Sequence, residues 1–172
     1  MAVRAAFNDA LFVRPAVMFG ADDAFLTTIL KLLRQLPIYP MFGRGLTRLQ
    51  PVYVEDVAEA VAQLMRRAET HLTIFEFGGP QVYSYAQFLR AVGHQAGLAP
   101  LLIPIPFVVW HALACVSEIL TRPPLANQVE LMQIDTVSSP EMPGFVELAI
   151  SPQPVEAILQ TLLGSRNAPE RG

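Results

Sequence analysis

The chain has 172 residues, of which 52% are hydrophobic and 16% are charged, and its formal net charge at pH 7 is −3. This length suits one folded domain, and the composition excludes a disordered chain. The small negative charge offers no basic surface for phosphates, so no nucleic-acid partner is expected. A mean hydropathy of +0.38 is high for a soluble domain and predicts apolar surface that packs against a partner or a membrane.

The residue types also limit the chemistry that the chain can perform. Cys115 is the only cysteine, which excludes an intramolecular disulfide and makes a structural zinc site unexpected. It lies in an apolar run and is interpreted as a buried, inert thiol. No secretory leader pattern is recognised near residue 1, because Asp9 and Arg14 interrupt the apolar run. A chain with a single cysteine suits a reducing compartment, so we expect a cytoplasmic location, with a position at the periphery of a membrane as the alternative.

The first predicted elements are a strand and a helix. The apolar run Ala10–Phe19 is typical of a strand buried on both faces, with Pro15 at its end. A charge inside such a strand needs a partner, which draws attention to Arg14. Asp22 or Asp23 is expected to cap a buried helix that stops at Pro37. The Pro- and Gly-rich residues 37–46 predict a loop.

The central stretch is Gln50–Arg67. Its β-branched and aromatic residues 52–54 predict a short strand, and Asp56 with Glu59 forms a capping-box pattern that opens a helix. The apolar stripe of that helix is predicted to be Val57, Val61, Leu64 and Met65. Capping is the simpler function of Asp56, and a catalytic role is the alternative.

Further along, residues 73–77 predict a strand and Gly78-Gly79-Pro80 predicts a turn. A second capping box, Ser84 with Gln87, opens a helix that ends at Gly97. Residues 101–106 are expected to be extended, and Pro106 is suited to begin the next helix.

The apolar stretch Phe107–Leu120 has about fourteen residues, fewer than the roughly twenty that span a bilayer. It predicts a core or interface helix, and a helix on a membrane surface or beside a lipophilic pocket is the alternative. Ser151-Pro152 is expected to cap a last helix that ends at Gly164, and residues 165–172 predict a frayed tail.

Four motifs occur in one order along most of the chain. They are Arg-Pro-Ala-Val-Met-Phe-Gly at 14–20, Phe-Gly-Arg-Gly at 42–45, Gln-Pro-Val-Tyr-Val-Glu-Asp-Val-Ala at 50–58, and a Pro-Leu…Gln-Val-Glu-Leu pattern at 124–131. In this order they resemble the extended and atypical short-chain dehydrogenases, the relatives of NAD-dependent epimerase/dehydratases. The nearest resemblance is to the branch of the 39 kDa accessory subunit of respiratory complex I.

Two features of that family are absent from this chain. Gly43-x-Gly45 lacks a third glycine and precedes a strand, so it does not match the phosphate-binding fingerprint. Lys31 is the only lysine, and Thr27 stands where the family's Tyr-x-x-x-Lys pair would need a tyrosine. This chain alone is therefore not expected to be an enzyme, and whether its parent is an NAD(P)-dependent oxidoreductase or epimerase is left open.

The resemblance implies an α/β fold, the C-terminal part of a Rossmann-like protein with a small parallel or mixed sheet and five or six helices. Residues 1–49 would hold the late Rossmann strand, its helix and a loop, residues 50–164 the substrate-side region, and 165–172 a flexible tail. The expected partners are a missing N-terminal Rossmann half, together with a membrane protein complex or a second copy of the chain.

The resemblance also implies sites. Pro15, Ala16 and Val17 would contact NAD or NADP in the full-length parent, and no cofactor is expected for this chain alone. Arg48 and Gln50 are the candidate substrate-binding residues, although Arg48 stands one position away from the phosphate-gripping arginine of the epimerases. No catalytic residue and no metal ligand is predicted.

Three functions follow from the resemblance. The first is a non-catalytic accessory or assembly subunit of complex I type. The second is a fragment of an active nucleoside-diphosphate-sugar epimerase/dehydratase or oxidoreductase. The third is a quinone- or lipid-handling protein that uses the Phe107–Leu120 helix.

Overall fold

The computed structural model describes residues 10–21, 23–36, 38–67, 74–112 and 133–166. The features predicted at Asp22, Pro37, Cys115 and residues 1–9, 113–132 and 167–172 lie outside these ranges. The strands are β1 (Phe12–Pro15), β2 (Met18–Phe19), β3 (Ile38–Phe42), β4 (Arg48–Leu49), β5 (Val52–Tyr53), β6 (Ile74–Phe77), β7 (Tyr83–Ser84) and β8 (Leu101–Ile105). The helices are α1 (Ala24–Gln35), α2 (Val54–Arg66), α3 (Tyr85–Gln95) and α4 (Val155–Arg166), with a 3-10 turn at Val146–Leu148. Residues 107–112 are also helical.

The strands form four pairs. β1 with β6, β2 with β5, and β3 with β8 are parallel, whereas β4 with β7 is antiparallel. Parallel strands need crossover connections, which the intervening helices supply. The predicted α/β architecture with a small parallel or mixed sheet is confirmed.

The predicted Ala10–Phe19 strand is divided in two. The N–H of Ala16 still donates to the carbonyl of Phe77 at 2.8 Å, but the carbonyl of Val17 accepts from Val52 at 2.9 Å, so the chain changes partner there. The prediction that both faces are buried is wrong. In the described part, β1 pairs with β6 only, and the exposed Arg14 reaches Glu76 on that neighbour at 3.6 Å.

The loop predicted for residues 37–46 is wrong over its first half, where β3 lies. Tyr39 and Met41 alternate into the core at 4% exposure each. This period of two is the pattern of a strand with one buried face. Pro40 removes one backbone donor but is accommodated opposite Ile103 of β8. The prolines and glycines of this stretch favoured a loop prediction, and the alternation of buried Tyr39 and Met41 was missed for that reason.

The helix α2 follows β5 directly, as predicted, but it begins two residues before Asp56. Its N-cap is Tyr53, which makes no side-chain capping bond, so the Asp56–Glu59 capping box is a wrong prediction. Met65, expected in the apolar stripe, is 82% exposed, and Ala60 is buried in its place. The buried face is therefore rotated toward Asp56.

Other local predictions are confirmed. Asp23 caps α1 by accepting from the N–H groups of Phe25 and Leu26. Ser84 and Gln87 form the reciprocal capping box of α3. The last helix differs from its prediction, because α4 begins at Val155 and runs through Gly164 to Arg166.

The core consists of two clusters. The helix cluster joins α1, α3 and α4 and includes Leu26, Ile29, Leu30, Leu33, Phe88, Leu89, Val92, Val155, Ile158, Leu159 and Leu163. The strand cluster joins β5, α2 and β6 to the 3-10 turn and contains Val52, Val57, Ala60, Leu64, Phe75, Phe77, Phe145 and Leu148. The chain passes from the strand cluster into the helix cluster between Leu148 and Val155.

Asp56 holds the two clusters together at that passage. It is 6% exposed, and its carboxylate accepts from the backbone N–H of Gln153 at 2.8 Å and from Gln153 Nε2 at 3.2 Å. A buried carboxylate is costly unless it is hydrogen-bonded, and these two bonds satisfy it from a segment 97 residues away. Asp56 therefore neither caps α2 nor stands free for catalysis.

Within the described ranges, no helix has the length and apolarity needed to cross a bilayer.

Candidate functional site

Two cavities open where parallel strands end. In open α/β sheets ligands bind beyond the carboxyl ends of the strands, so these are the places to examine. The cavity at the ends of β2 and β5 has a volume of about 360 Å³ and is lined by Met18, Phe19, Gly20, Ala21, Asp23, Val54 and Glu55. The cavity at the ends of β3 and β8 has a volume of about 590 Å³ and is lined by Phe42, Gly43, Arg44, Gly45, Leu46, Thr47, Pro104, Pro106 and Phe107.

The predicted cofactor contacts Pro15, Ala16 and Val17 connect β1 to β2, and the smaller cavity begins at the next residue, Met18. Their side chains are half-buried and apolar, which suits one wall of a nicotinamide site. The N–H of Ala16 and the carbonyl of Val17 are already used in strand pairing. These residues fit a nicotinamide dinucleotide only as a packing surface, because they supply no phosphate-binding group.

Arg48, a predicted substrate-binding residue, is engaged with another segment of the chain. Its Nε donates to Asp135 Oδ2 at 2.8 Å, and its backbone N–H donates to Asp135 Oδ1 at 2.8 Å. These bonds, from the backbone first and then from the guanidinium, hold the pKa of the Asp135 carboxyl below its ordinary value. The arginine side chain is 63% exposed.

Gln50, the second predicted substrate-binding residue, is also occupied. Its Nε2 donates to the carbonyl of Gly79 at 2.8 Å, and its Oε1 accepts from the N–H and the hydroxyl of Ser138, both at 2.9 Å. Thr136 is bonded to the same two residues through its backbone. Its N–H donates to the carbonyl of Arg48, and its carbonyl accepts from the N–H of Gln50. Arg48 and Gln50 thus fasten the segment 135–138 in this structure, and a direct contact with substrate stays a prediction.

Sequence reasoning missed Asp135 and Ser138. Each lies more than eighty residues from its partner, at separations of 87 and 88 residues. No local pattern marks either of them. Gly79, which accepts a hydrogen bond from Gln50, must be a glycine, because a side chain there would collide with the backbone of Pro51.

Three tyrosines are held in their neutral form. Burial raises the pKa of Tyr39 and of Tyr85, whose hydroxyls lie 3.1 Å apart. Burial, and then the hydrogen bond to Glu156 at 2.7 Å, raise the pKa of Tyr83. A tyrosine that acts as a general base needs the opposite change. Lys31 is exposed on α1. It forms no hydrogen bond with Tyr39, Tyr83 or Tyr85, all of which are described residues.

Among the described residues, no group of three His, Cys, Asp or Glu side chains could hold a metal ion.

No protein-family model matches the chain. NADH dehydrogenase [ubiquinone] 1 alpha subcomplex subunit 9, mitochondrial, from Arabidopsis thaliana is 27% identical over 96% of this chain and 45% of its own length. The protein of the same name from Rattus norvegicus is 28% identical over 90% of this chain and 41% of its own length.

A solved structure shows the fold. The dTDP-glucose 4,6-dehydratase of Bacillus anthracis, in complex with NAD, superposes with a TM-score of 0.65 at 11% identity, over 96% of this chain and 48% of that one. The chain therefore shares the fold of part of this dehydratase. The resemblance inferred from the four motifs is confirmed, including its nearness to the complex I subunits. The chain spans less than half the length of these curated relatives.

The first test concerns the tyrosines. A folded-state pKa above the ordinary 10.0 means that these groups contribute stability below that pH, and that the contribution is lost as pH rises further. We expect the tyrosinate absorbance of Tyr39, Tyr83 and Tyr85 to appear only together with loss of circular dichroism in an alkaline titration. Tyr85→Phe should remove one tyrosine from this late step. Full tyrosinate formation with unchanged circular dichroism would contradict the buried pair.

The second test concerns Gln50. Replacing it with alanine leaves Gly79 and Ser138 without their partners, and we expect a loss of roughly 1–3 kcal/mol in the free energy of unfolding by urea. Gln63→Ala is the matched control, since that side chain makes only an exposed bond to Glu59, and it should change stability by less than about 0.5 kcal/mol. Equal stability of the two variants would mean that Gln50 is free to serve a ligand instead.

Proposed function

We propose that this chain is the substrate-side portion of an NAD(P)-binding short-chain dehydrogenase-like protein, and that it serves as a non-catalytic accessory or assembly subunit of respiratory complex I type. The similarity to subunits of NADH dehydrogenase over 90% or more of the chain carries the proposal. The proposed location is the cytoplasm, at the surface of a membrane complex.

The chemistry of the described residues supports a non-catalytic role. The tyrosines at 39, 83 and 85 have raised pKa values and polar partners, so they are poorly suited to accept a proton from a substrate. Asp56 is buried and fully engaged with Gln153. A fragment of an active epimerase or dehydratase, the alternative function, would depend on catalytic groups supplied from outside this chain.

The edge of β1 supports a partner of Rossmann type. In the described part, β1 pairs with β6 and with no second strand. An open strand edge is a template for a further strand. We infer that the phosphate-binding half of a dinucleotide fold pairs along β1, which would place Pro15, Ala16 and Val17 against the nicotinamide end of NAD or NADP.

The third test is assembly in the organism that encodes the chain. An epitope-tagged copy should migrate with the NADH dehydrogenase activity band when mildly solubilised membranes are separated by native electrophoresis. Leu159→Asp gives the control. Leu159 is fully buried, so a carboxylate there should unfold the chain, and the unfolded chain should leave that band.

Two outcomes would contradict the proposal. One is migration of the tagged wild-type chain apart from the activity band. The other is saturable NADH or NADPH binding by the purified chain alone together with turnover of a nucleoside-diphosphate sugar, which would favour the enzyme alternative.

A further inference from the structure

The larger cavity is built from the turn between β3 and β4, the end of β8 and the start of the 107–112 helical segment. The turn is fixed by backbone bonds, since the N–H of Gly43 donates to Ile105 at 2.8 Å and that of Ala86 donates to Gly45 at 3.0 Å. Gly43 has a φ of 54°, and a side chain there would strike the ring of Phe107. The shape of the cavity therefore does not depend on a flexible loop.

The walls of this cavity are mainly apolar. Phe42, Leu46, Pro104, Pro106 and Phe107 line it. Behind Phe42 lies Trp110, with ring centroids 4.3 Å apart, and the indole N–H reaches the carbonyl of Met41 at 3.5 Å. A volume of about 590 Å³ lies within the range of small-molecule sites, roughly 300–1,000 Å³.

Among the described residues that line the cavity, Arg44 is the only charged one. It is exposed, and it makes no ion pair or hydrogen bond with any residue in the part of the chain that is described. Three other arginines are engaged, since Arg14 pairs with Glu76, Arg48 with Asp135, and Arg67 with the carbonyl of Glu147. A free guanidinium over an apolar cavity is suited to a carboxylate or phosphate.

The mouth of the cavity is apolar as well. Leu46 is 70% exposed, and Val108, which follows Phe107, is 79% exposed. Exposed apolar groups beside a cavity favour a ligand that is itself apolar over most of its length. A nucleotide would need several polar partners for its base and ribose, whereas among the described lining residues Thr47 is the only one with an uncharged polar side chain.

We propose that this cavity binds a single-chain anionic amphiphile. Its head group pairs with Arg44, and its aliphatic chain lies along Phe42, Leu46, Pro104 and Phe107. The cavity would take one lipid molecule rather than a bilayer surface, because its volume is that of a small-molecule site. This binding is independent of assembly into a membrane complex.

Trp110 is the only tryptophan and lies against a wall residue, so its fluorescence reports occupancy. The folded chain is titrated with oleate and with oleoyl lysophosphatidic acid below their aggregation concentrations, and with neutral mono-oleoylglycerol. We expect saturable changes with both anions and at least tenfold weaker binding of the neutral lipid. Arg44→Gln should weaken binding of the anions by about tenfold and leave the neutral lipid unchanged, as loss of one charged hydrogen bond predicts.

Matched variants keep the test decisive. Arg66→Gln removes an exposed charge from the last turn of α2, away from this lining, and should bind like wild type. Leu46→Glu places an anion at the mouth and should abolish binding of the anions, whereas Leu46→Gln should retain most of it. Circular dichroism confirms that each variant is folded.

Three results would overturn the proposal. They are no saturable Trp110 response to either anion, equal affinity of wild type and Arg44→Gln for the anions, and a response only to vesicles or to nucleoside monophosphates.

Discussion

The buried carboxylate of Asp56 is the constraint on which the rest of the structure depends. A charge removed from water must be compensated, and Gln153 compensates it with a backbone and a side-chain donor. The bond joins α2, which belongs to the strand cluster, to the segment that leads into α4, which belongs to the helix cluster. This interaction therefore holds the segment that precedes α4 against α2.

Strand pairing places the strand ends that matter for function. The parallel pairing of β3 with β8 keeps the turn after β3 and the end of β8 together around the larger cavity. The strand cluster keeps β1 and β6 parallel, and β1 is left with an edge that no described strand covers. Within the described residues, the molecule thus combines a packed interior, an edge of β1 that no described strand covers and a mainly apolar cavity at the ends of β3 and β8.

What the sequence predicts well is chemistry confined to a few neighbouring residues. The caps at Asp23 and Ser84 were predictable because each side chain bonds a backbone group two or three positions away. Strand-to-helix succession at β5 and α2 was predictable from the β-branched and aromatic residues of β5 and the apolar periodicity of α2, not from a capping bond. The strand β3 was missed because proline and glycine outweighed the alternation of Tyr39 and Met41.

The polar contacts of the site were beyond sequence reasoning. Asp56 stands at a position that looks like a cap, but its partner Gln153 is 97 residues away. Arg48 and Gln50 were predicted from the sequence as substrate-binding residues. Their partners in the segment 135–138 belong to no sequence motif. Arg44 was passed over, since only the folded turn shows that its charge is unpaired among the described residues and lies over an apolar cavity.

Hydrogen exchange of the backbone amides, followed by mass spectrometry, tests the Asp56 joint most directly. In Asp56→Ala the amides of α4 should exchange at least tenfold faster, while Glu59→Ala, an exposed change on the same helix, should leave them unaltered. Asp56→Asn should fall between, because one acceptor oxygen remains for Gln153. Exchange in α4 that is the same in Asp56→Ala as in the parent chain would contradict the account.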